Sequence, residues 1–117
     1  MKGKLGEDQA VNTLTAAGMT VIERNFRSKS GEVDIIAKDG ETIVFVEVKA
    51  WSAFGIENLQ YGLDIRKQQK IIKTAKYFLS KNREYSNTAV RFDVVFIQGE
   101  PPKCRVTHLA SAFTESV

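Results

Sequence analysis

Two runs rich in β-branched residues, Glu32 to Lys38 and Thr42 to Ala50, meet at Asp39-Gly40. Asp-Gly between such runs is a strong local signal for a two-residue hairpin. With that turn, Lys38 faces Glu41, Asp34 faces Phe45 and Glu32 faces Glu47. Side chains alternate across a strand, so Glu32 and Asp34 share one face with Glu47 and Lys49. Asp34 and Glu47 become diagonal neighbours, about 7–8 Å apart. Val33, Ile35, Val44, Val46 and Val48 surround them, which marks a central hairpin with poorly solvated carboxylates. At about 4 Å and an effective dielectric of about 20, one like-charge contact costs ~4 kcal/mol.

A divalent cation would remove that repulsion. Mg²⁺ typically takes one or two carboxylates together with waters and substrate phosphates, which is the ligand set on offer. Such an ion activates water and stabilises charge on a phosphoryl oxygen. Lys49 projects to the same face, where it would hold the attacking water or the charge developing on phosphorus. The bland alternative is a solvated sheet face with Lys49 paired to Glu47. A second segment weighs against it. Residues 4–17 read as a helix ending at Gly18, with Ala10, Val11, Leu14 and Ala17 on one face. Glu7 falls inside that apolar stripe, an anomalous place for a carboxylate unless it joins a site.

The rest of the chain supplies further elements. Thr20 to Phe26 reads as a strand and Ser28 to Gly31 as a turn. Trp51 to Gly62 is irregular. Asp64 caps a long helix reaching about Asn82, with an apolar face of Ile65, Ile71, Ile72, Ala75, Phe78 and Leu79. Val90 to Ile97 is a strand, Gly99 to Pro102 a turn, Cys104 to Leu109 a last strand, and Ala110 onward a short helix. The order α-β-β-β-α-β-β-α predicts an α/β fold with a central mixed sheet flanked by helices. A chain of 117 residues without repeats or linkers reads as one domain over 1–117. No apolar run approaches the ~20 residues of a membrane span. The lone Cys104 and the absence of a signal-like N-terminus suit the cytoplasm. A net charge of +3 is compatible with an acidic partner and decides nothing further.

The Asp34…Glu47-Val48-Lys49 spacing, with twelve residues between the two acids, resembles the D…ExK signature of the PD-(D/E)xK nuclease superfamily. Gly6-Glu7, Arg24-Asn25-Phe26-Arg27, Gly31 to Ala37, Val44 to Lys49, Phe54-Gly55 and Arg91 to Val95 are together similar to the YraN-like family of predicted endonucleases. That family is distantly related to archaeal Holliday-junction resolvases, and the similarity runs from about Gly3 to Phe113. The resemblance implies a restriction-endonuclease-like α/β/α fold and Mg²⁺- or Mn²⁺-dependent hydrolysis of DNA phosphodiester bonds, with branched or Holliday-junction-like DNA as the suggested substrate. It implies Glu7, Asp34 and Glu47 as metal ligands, the Val48 carbonyl as an extra one, and Lys49 as the catalytic lysine. Val33 stands where the signature places proline. Trp51 stands where arginine is expected, so stacking on an unpaired base would replace a phosphate contact there.

Arg27, Lys29, Arg66, Lys67, Gln68 and Lys70 complete the candidate nucleic-acid contacts; related nucleases carry a Gln or Lys where Lys67 and Gln68 open the long helix. Lys73 and Lys81 lie on the same outward face as Arg66 and Lys70, and such a face tracks phosphates or simply stays solvated. Two cuts on a branched substrate would call for a homodimer. His108 and Cys104 read as structural, and Asp93 as the partner of Arg91 or Arg27. The competing function is a non-catalytic nucleic-acid-binding domain on a nuclease scaffold.

Overall fold

The structure, a computed structural model, describes residues 4–51, 64–99 and 103–115, without the side chains of 4, 5 and 51. The Phe54-Gly55 motif and most of the segments expected to be irregular, from Trp51 to Gly62 and from Gly99 to Pro102, lie outside the described residues. Helix α1 (Lys4–Ala16) ends at Gly18, whose φ of 97° reverses the chain at little steric cost. Strands β1 (Thr20–Ser28), β2 (Gly31–Asp39) and β3 (Thr42–Trp51) follow as two successive hairpins. Helix α2 (Ile65–Lys81) then leads through a short 3₁₀ turn (Arg83–Tyr85) to β4 (Val90–Gln98) and β5 (Arg105–Phe113). The five strands lie in chain order, with β3 and β4 parallel and every other neighbouring pair antiparallel. A parallel neighbour requires a crossover, and α2 lies within that connection.

One helix packs on each face of this mixed sheet. Ala10 and Leu14 of α1 are buried with Ile35, Ala37, Val44, Val46, Val95 and Ile97. On the other face Ile71, Ala75 and Phe78 of α2 are buried with Val33, Ile36, Ile43, Phe45 and Phe92. Alternation along β3 sorts Val44 and Val46 from Ile43 and Phe45, as period two requires. Each such side chain, fully buried, contributes about 1.5–3 kcal/mol of transfer free energy. At the start of α2 the Asp64 carboxylate accepts the Lys67 N–H at 2.9 Å, a cap worth about 1 kcal/mol.

The structure corrects four sequence expectations. The β2–β3 turn is Gly40-Glu41, because Asp39 pairs with Thr42, Lys38 with Ile43 and Ile35 with Val46. The glycine takes φ 62° at the first turn position. This register differs from the expected one by a whole side-chain repeat, so Ile35 to Asp39 keep their faces while their partners change. Second, the last helix does not form. Strand β5 runs on to Phe113 through a bulge, with Ser111 at φ 53° and the register shifted between Phe92 and Val94. Phe113 pairs with Phe92 of β4 and the Ser111 N–H bonds Asp93, so this stretch is strand rather than helix and the order among the described residues is α-β-β-β-α-β-β. Third, Ile65 is 61% exposed and Ala17 is exposed, so both apolar stripes are shorter than their periodicity suggests. Fourth, Ser28 and Gly31 belong to strands, leaving Lys29-Ser30 as the turn between β1 and β2.

Candidate functional site

The alternation of β2 breaks at one residue. Ile35 and Ala37 pack toward α1, whereas Val33 packs toward α2. Asp34 lies between them. Its neighbour across β1 is Asn25, since Arg24 pairs with Ile35 and Phe26 with Val33. Asn25 has φ 55°, a left-handed conformation that asparagine tolerates better than most residues. The break therefore crosses both strands: Arg24 reaches Glu7 and Asp8 of α1, while Phe26 stacks edge-on against Phe78 of α2. Asp34 sits where the sheet exchanges one core for the other.

Beyond the Ile35–Val46 pair, the Asp34 side chain enters the β2–β3 contact. Its Oδ2 accepts the Val48 N–H at 2.7 Å. The paired register ends at Ile35–Val46, and Asp34 and Glu47 just beyond it come within hydrogen-bond reach, closer than the diagonal arrangement expected from an Asp39-Gly40 turn. Glu47 is buried at 6% exposure, and its carboxyl hydrogen-bonds Asp34. From α2, Lys67 Nζ stands 3.4 Å from Glu47 Oε2, and Lys49 adds a second positive charge nearby.

The electrostatics follow from this crowding. Burial, and next the Asp34 charge, push the Glu47 carboxyl up from 4.5 to about 7, against the opposing pull of Lys67 and Lys49. Burial also raises Asp34; the Val48 N–H pulls it back, and the charges of Glu7 and Glu32 raise it further. Two neighbouring carboxylates are thus held above their ordinary range even with a lysine ammonium beside them.

The expected site residues divide into three groups. Asp34, Glu47 and Lys49 converge, and Glu7 acts on Asp34 through its charge. Glu7 Oε1 accepts Asn25 Nδ2 at 3.0 Å and the Arg24 guanidinium at 3.4 Å. Among the described residues no three acidic, histidine or cysteine side chains close on one point tightly enough to hold a metal by themselves. Of the candidate nucleic-acid contacts, Lys67 belongs to the site itself. Arg27 is paired with Glu32 at 3.7 Å beside it. Lys29, Arg66 and Lys70 are exposed and Gln68 is half-buried. Gly31 packs beside Lys70 and Thr74, so the Lys29-Ser30 turn and the start of α2 share one basic flank. Trp51 pairs with Gln98 at the end of β3, and its side chain is outside the described residues. Sequence reasoning missed Asn25 as a site neighbour. Its one local signal is an asparagine interrupting a strand pattern, a residue type enriched at positive φ.

Away from this cluster, Asp93 is fully buried. It accepts Arg91 Nε at 2.9 Å and Nη2 at 3.1 Å, lies 2.7 Å from His108 Nε2, and accepts the Ser111 N–H at 3.0 Å. Arg91 also donates to Asp39 at 3.1 Å. Of the two partners expected for Asp93, Arg91 is the one in contact, and His108 lies against the same carboxylate.

Fold and site together define an α/β protein whose central mixed sheet carries a charge-crowded carboxylate pair, Glu47 buried and Asp34 half-buried. The chain belongs to the Uncharacterised protein family UPF0102, whose model matches residues 6–97. It is 43% identical over 113 residues to a UPF0102 protein of Persephonella marina, covering 97% of this chain and 93% of that one. A UPF0102 protein of Syntrophus aciditrophicus is 44% identical, at 95% and 87% coverage. One from Treponema pallidum is 40% identical, at 98% and 94% coverage. No helix among the described residues is long and apolar enough to cross a membrane.

Proposed function

We propose that this protein is a metal-dependent endonuclease of restriction-endonuclease-like fold that hydrolyses DNA phosphodiester bonds, with branched DNA as its preferred substrate class. The observation that carries the reading is the Asp34–Glu47 pair, two neighbouring carboxylates, Glu47 buried and Asp34 half-buried, both held above their ordinary range. Similarly perturbed groups cluster at functional sites. The donor set fits a small hard cation: carboxylate oxygens only, with the Val48 carbonyl adjacent. A pair of carboxylates is the usual protein share for Mg²⁺, the remainder coming from water and phosphate oxygens. Asp34 and Glu47 would hold Mg²⁺ or Mn²⁺, and Glu7 would add negative charge at its edge. The ion supplies Lewis acidity and a more acidic bound water.

The chain's own residues supply the remainder. Lys49, on the same face of β3 as Glu47, stabilises negative charge building on phosphorus and orients the attacking water. Lys67 counters Glu47 and lies where its ammonium would also meet a phosphate. Arg27, Lys29, Arg66 and Lys70 flank the carboxylates and take the strand backbone by charge.

The test is cleavage of linear, nicked, flapped and four-way DNA with Mg²⁺ or Mn²⁺, comparing wild type with Asp34→Ala and Lys49→Ala. Both variants should fold and lose about 10²–10³-fold in rate, the scale of losing a transition-state contact. Full cleavage by both would sink the assignment. The second reading, a non-catalytic nucleic-acid-binding domain, draws support from the Lys67–Glu47 ion pair, which gives the site a resident cation. It predicts salt-sensitive DNA binding and no calorimetric signal with millimolar Mn²⁺.

A further inference from the structure

Asn25 is the one non-glycine residue with positive φ near the site, among the described residues, and three independent features meet at it. Its backbone, at φ 55°, lies across the ladder from Asp34. It divides Arg24, which faces α1, from Phe26, which faces α2. Its Nδ2 donates to Glu7 Oε1 at 3.0 Å, the shorter of that oxygen's two contacts, because Arg24 is committed chiefly to Asp8 at 2.7 Å. Glu7 projects from the first turns of α1, where Lys4, Leu5 and Gly6 precede it, and a glutamate there has free rotamers unless something holds it.

We infer that Asn25 is a positioning residue: its left-handed backbone aims an amide at Glu7 and holds that carboxylate beside Asp34, completing the negative end of the cation site. This rests on the proposed metal-binding reading and adds the element that sets its third carboxylate. Asparagine suits the position for two separate reasons. It accepts positive φ at little cost, and its short amide donates to a carboxylate without adding charge. Glycine would keep the first property and discard the second, which makes Asn25→Gly the informative variant.

The experiment is a double-mutant cycle of Asn25→Gly and Glu7→Ala, read twice on the intact chain. In thermal unfolding without metal, the two substitutions should be non-additive, as for side chains in direct contact. In Mn²⁺ calorimetry, Asn25→Gly should weaken binding about tenfold, equivalent to ~1.4 kcal/mol, while Asn25→Gly/Glu7→Ala binds no more weakly than Glu7→Ala alone. A fully additive thermal cycle overturns the Asn25–Glu7 link. So does unchanged Mn²⁺ affinity in Asn25→Gly, or a loss that adds in full to that of Glu7→Ala. Wild type that binds no Mn²⁺ overturns the metal reading and with it the assigned purpose of the link; the thermal cycle then reports separately whether Asn25 holds Glu7.

Discussion

The sheet buries two acidic centres and treats them in opposite ways. Asp93 of β4 is fully enclosed, yet hydrogen bonds from Arg91, His108 and the Ser111 N–H outweigh the cost of its burial and hold its carboxyl below the ordinary 3.8. Asp34 and Glu47, on the neighbouring β2 and β3, meet the Val48 N–H, each other and Lys67 among the described residues, and both are raised. The same fold can therefore satisfy a buried carboxylate completely. Among the described residues the second pair is left above its ordinary range, a condition that a bound cation would relieve under the proposed function.

The contrast breaks most visibly at Asp93. Asp93→Ala should remove about 3–5 kcal/mol of stability, because Arg91 and His108 lose a buried partner. A urea midpoint no lower than wild type would erase the distinction between the two centres. Glu47→Gln should act in the reverse direction. With Glu47 raised from 4.5 to about 7, the ionised form is disfavoured in the folded protein, so this group's contribution falls as pH rises from 4.5 through 7. At pH 8 the substitution should stabilise the metal-free protein by roughly 3 kcal/mol, since each tenfold change in proton affinity is worth about 1.36 kcal/mol, and the gain should vanish by about pH 4. Asp93 has the opposite sign: its stabilisation is present above 3.8 and is lost only as pH falls through its lowered folded value. Denaturant titrations of wild type and Glu47→Gln across this range measure both.

Cation addition sharpens the contrast from the other side. Mn²⁺ at one hundred times its Kd should stabilise wild type by about 2.7 kcal/mol and leave Asp34→Ala unmoved. Smallest is the effect of the α2 cap. Asp64→Ala should cost about 1 kcal/mol in thermal or urea unfolding and loosen the turn that carries Lys67. The same substitution should leave the Asp93 centre intact, visible as an unchanged acid limb of the stability profile.

Much of the site is legible in the chain itself because it rests on local periodicity. Placing the hairpin turn at Asp39-Gly40 instead of Gly40-Glu41 displaces the partners of Ile35 to Asp39 but preserves their faces, and the alternation of β3 still puts Glu47 and Lys49 together. A shift by one side-chain repeat cannot turn a strand over. Glu7 is conspicuous for a similar reason, a carboxylate on the inward stripe of α1. The misread C-terminal segment has a different origin. Ala110, Ser111 and Ala112 favour a helix locally, but backbone pairing with β4 and the Ser111 bond to Asp93 prevail.

Local pattern alone accounts for the alternation that groups three acids and a lysine, the helix boundaries at Gly18 and Asp64, and the absence of any apolar run near membrane length. Long-range contacts were needed to establish that β3 and β4 run parallel, that Lys67 reaches Glu47, that Asn25 turns left-handed opposite Asp34, and that Asp93 gathers Arg91, His108 and Ser111. The first set depends on the 2- and 3.6-residue repeats of single elements, which any short window reveals. The second depends on groups far apart in the chain meeting in a buried environment, where desolvation and the nearest charge set each group's chemistry.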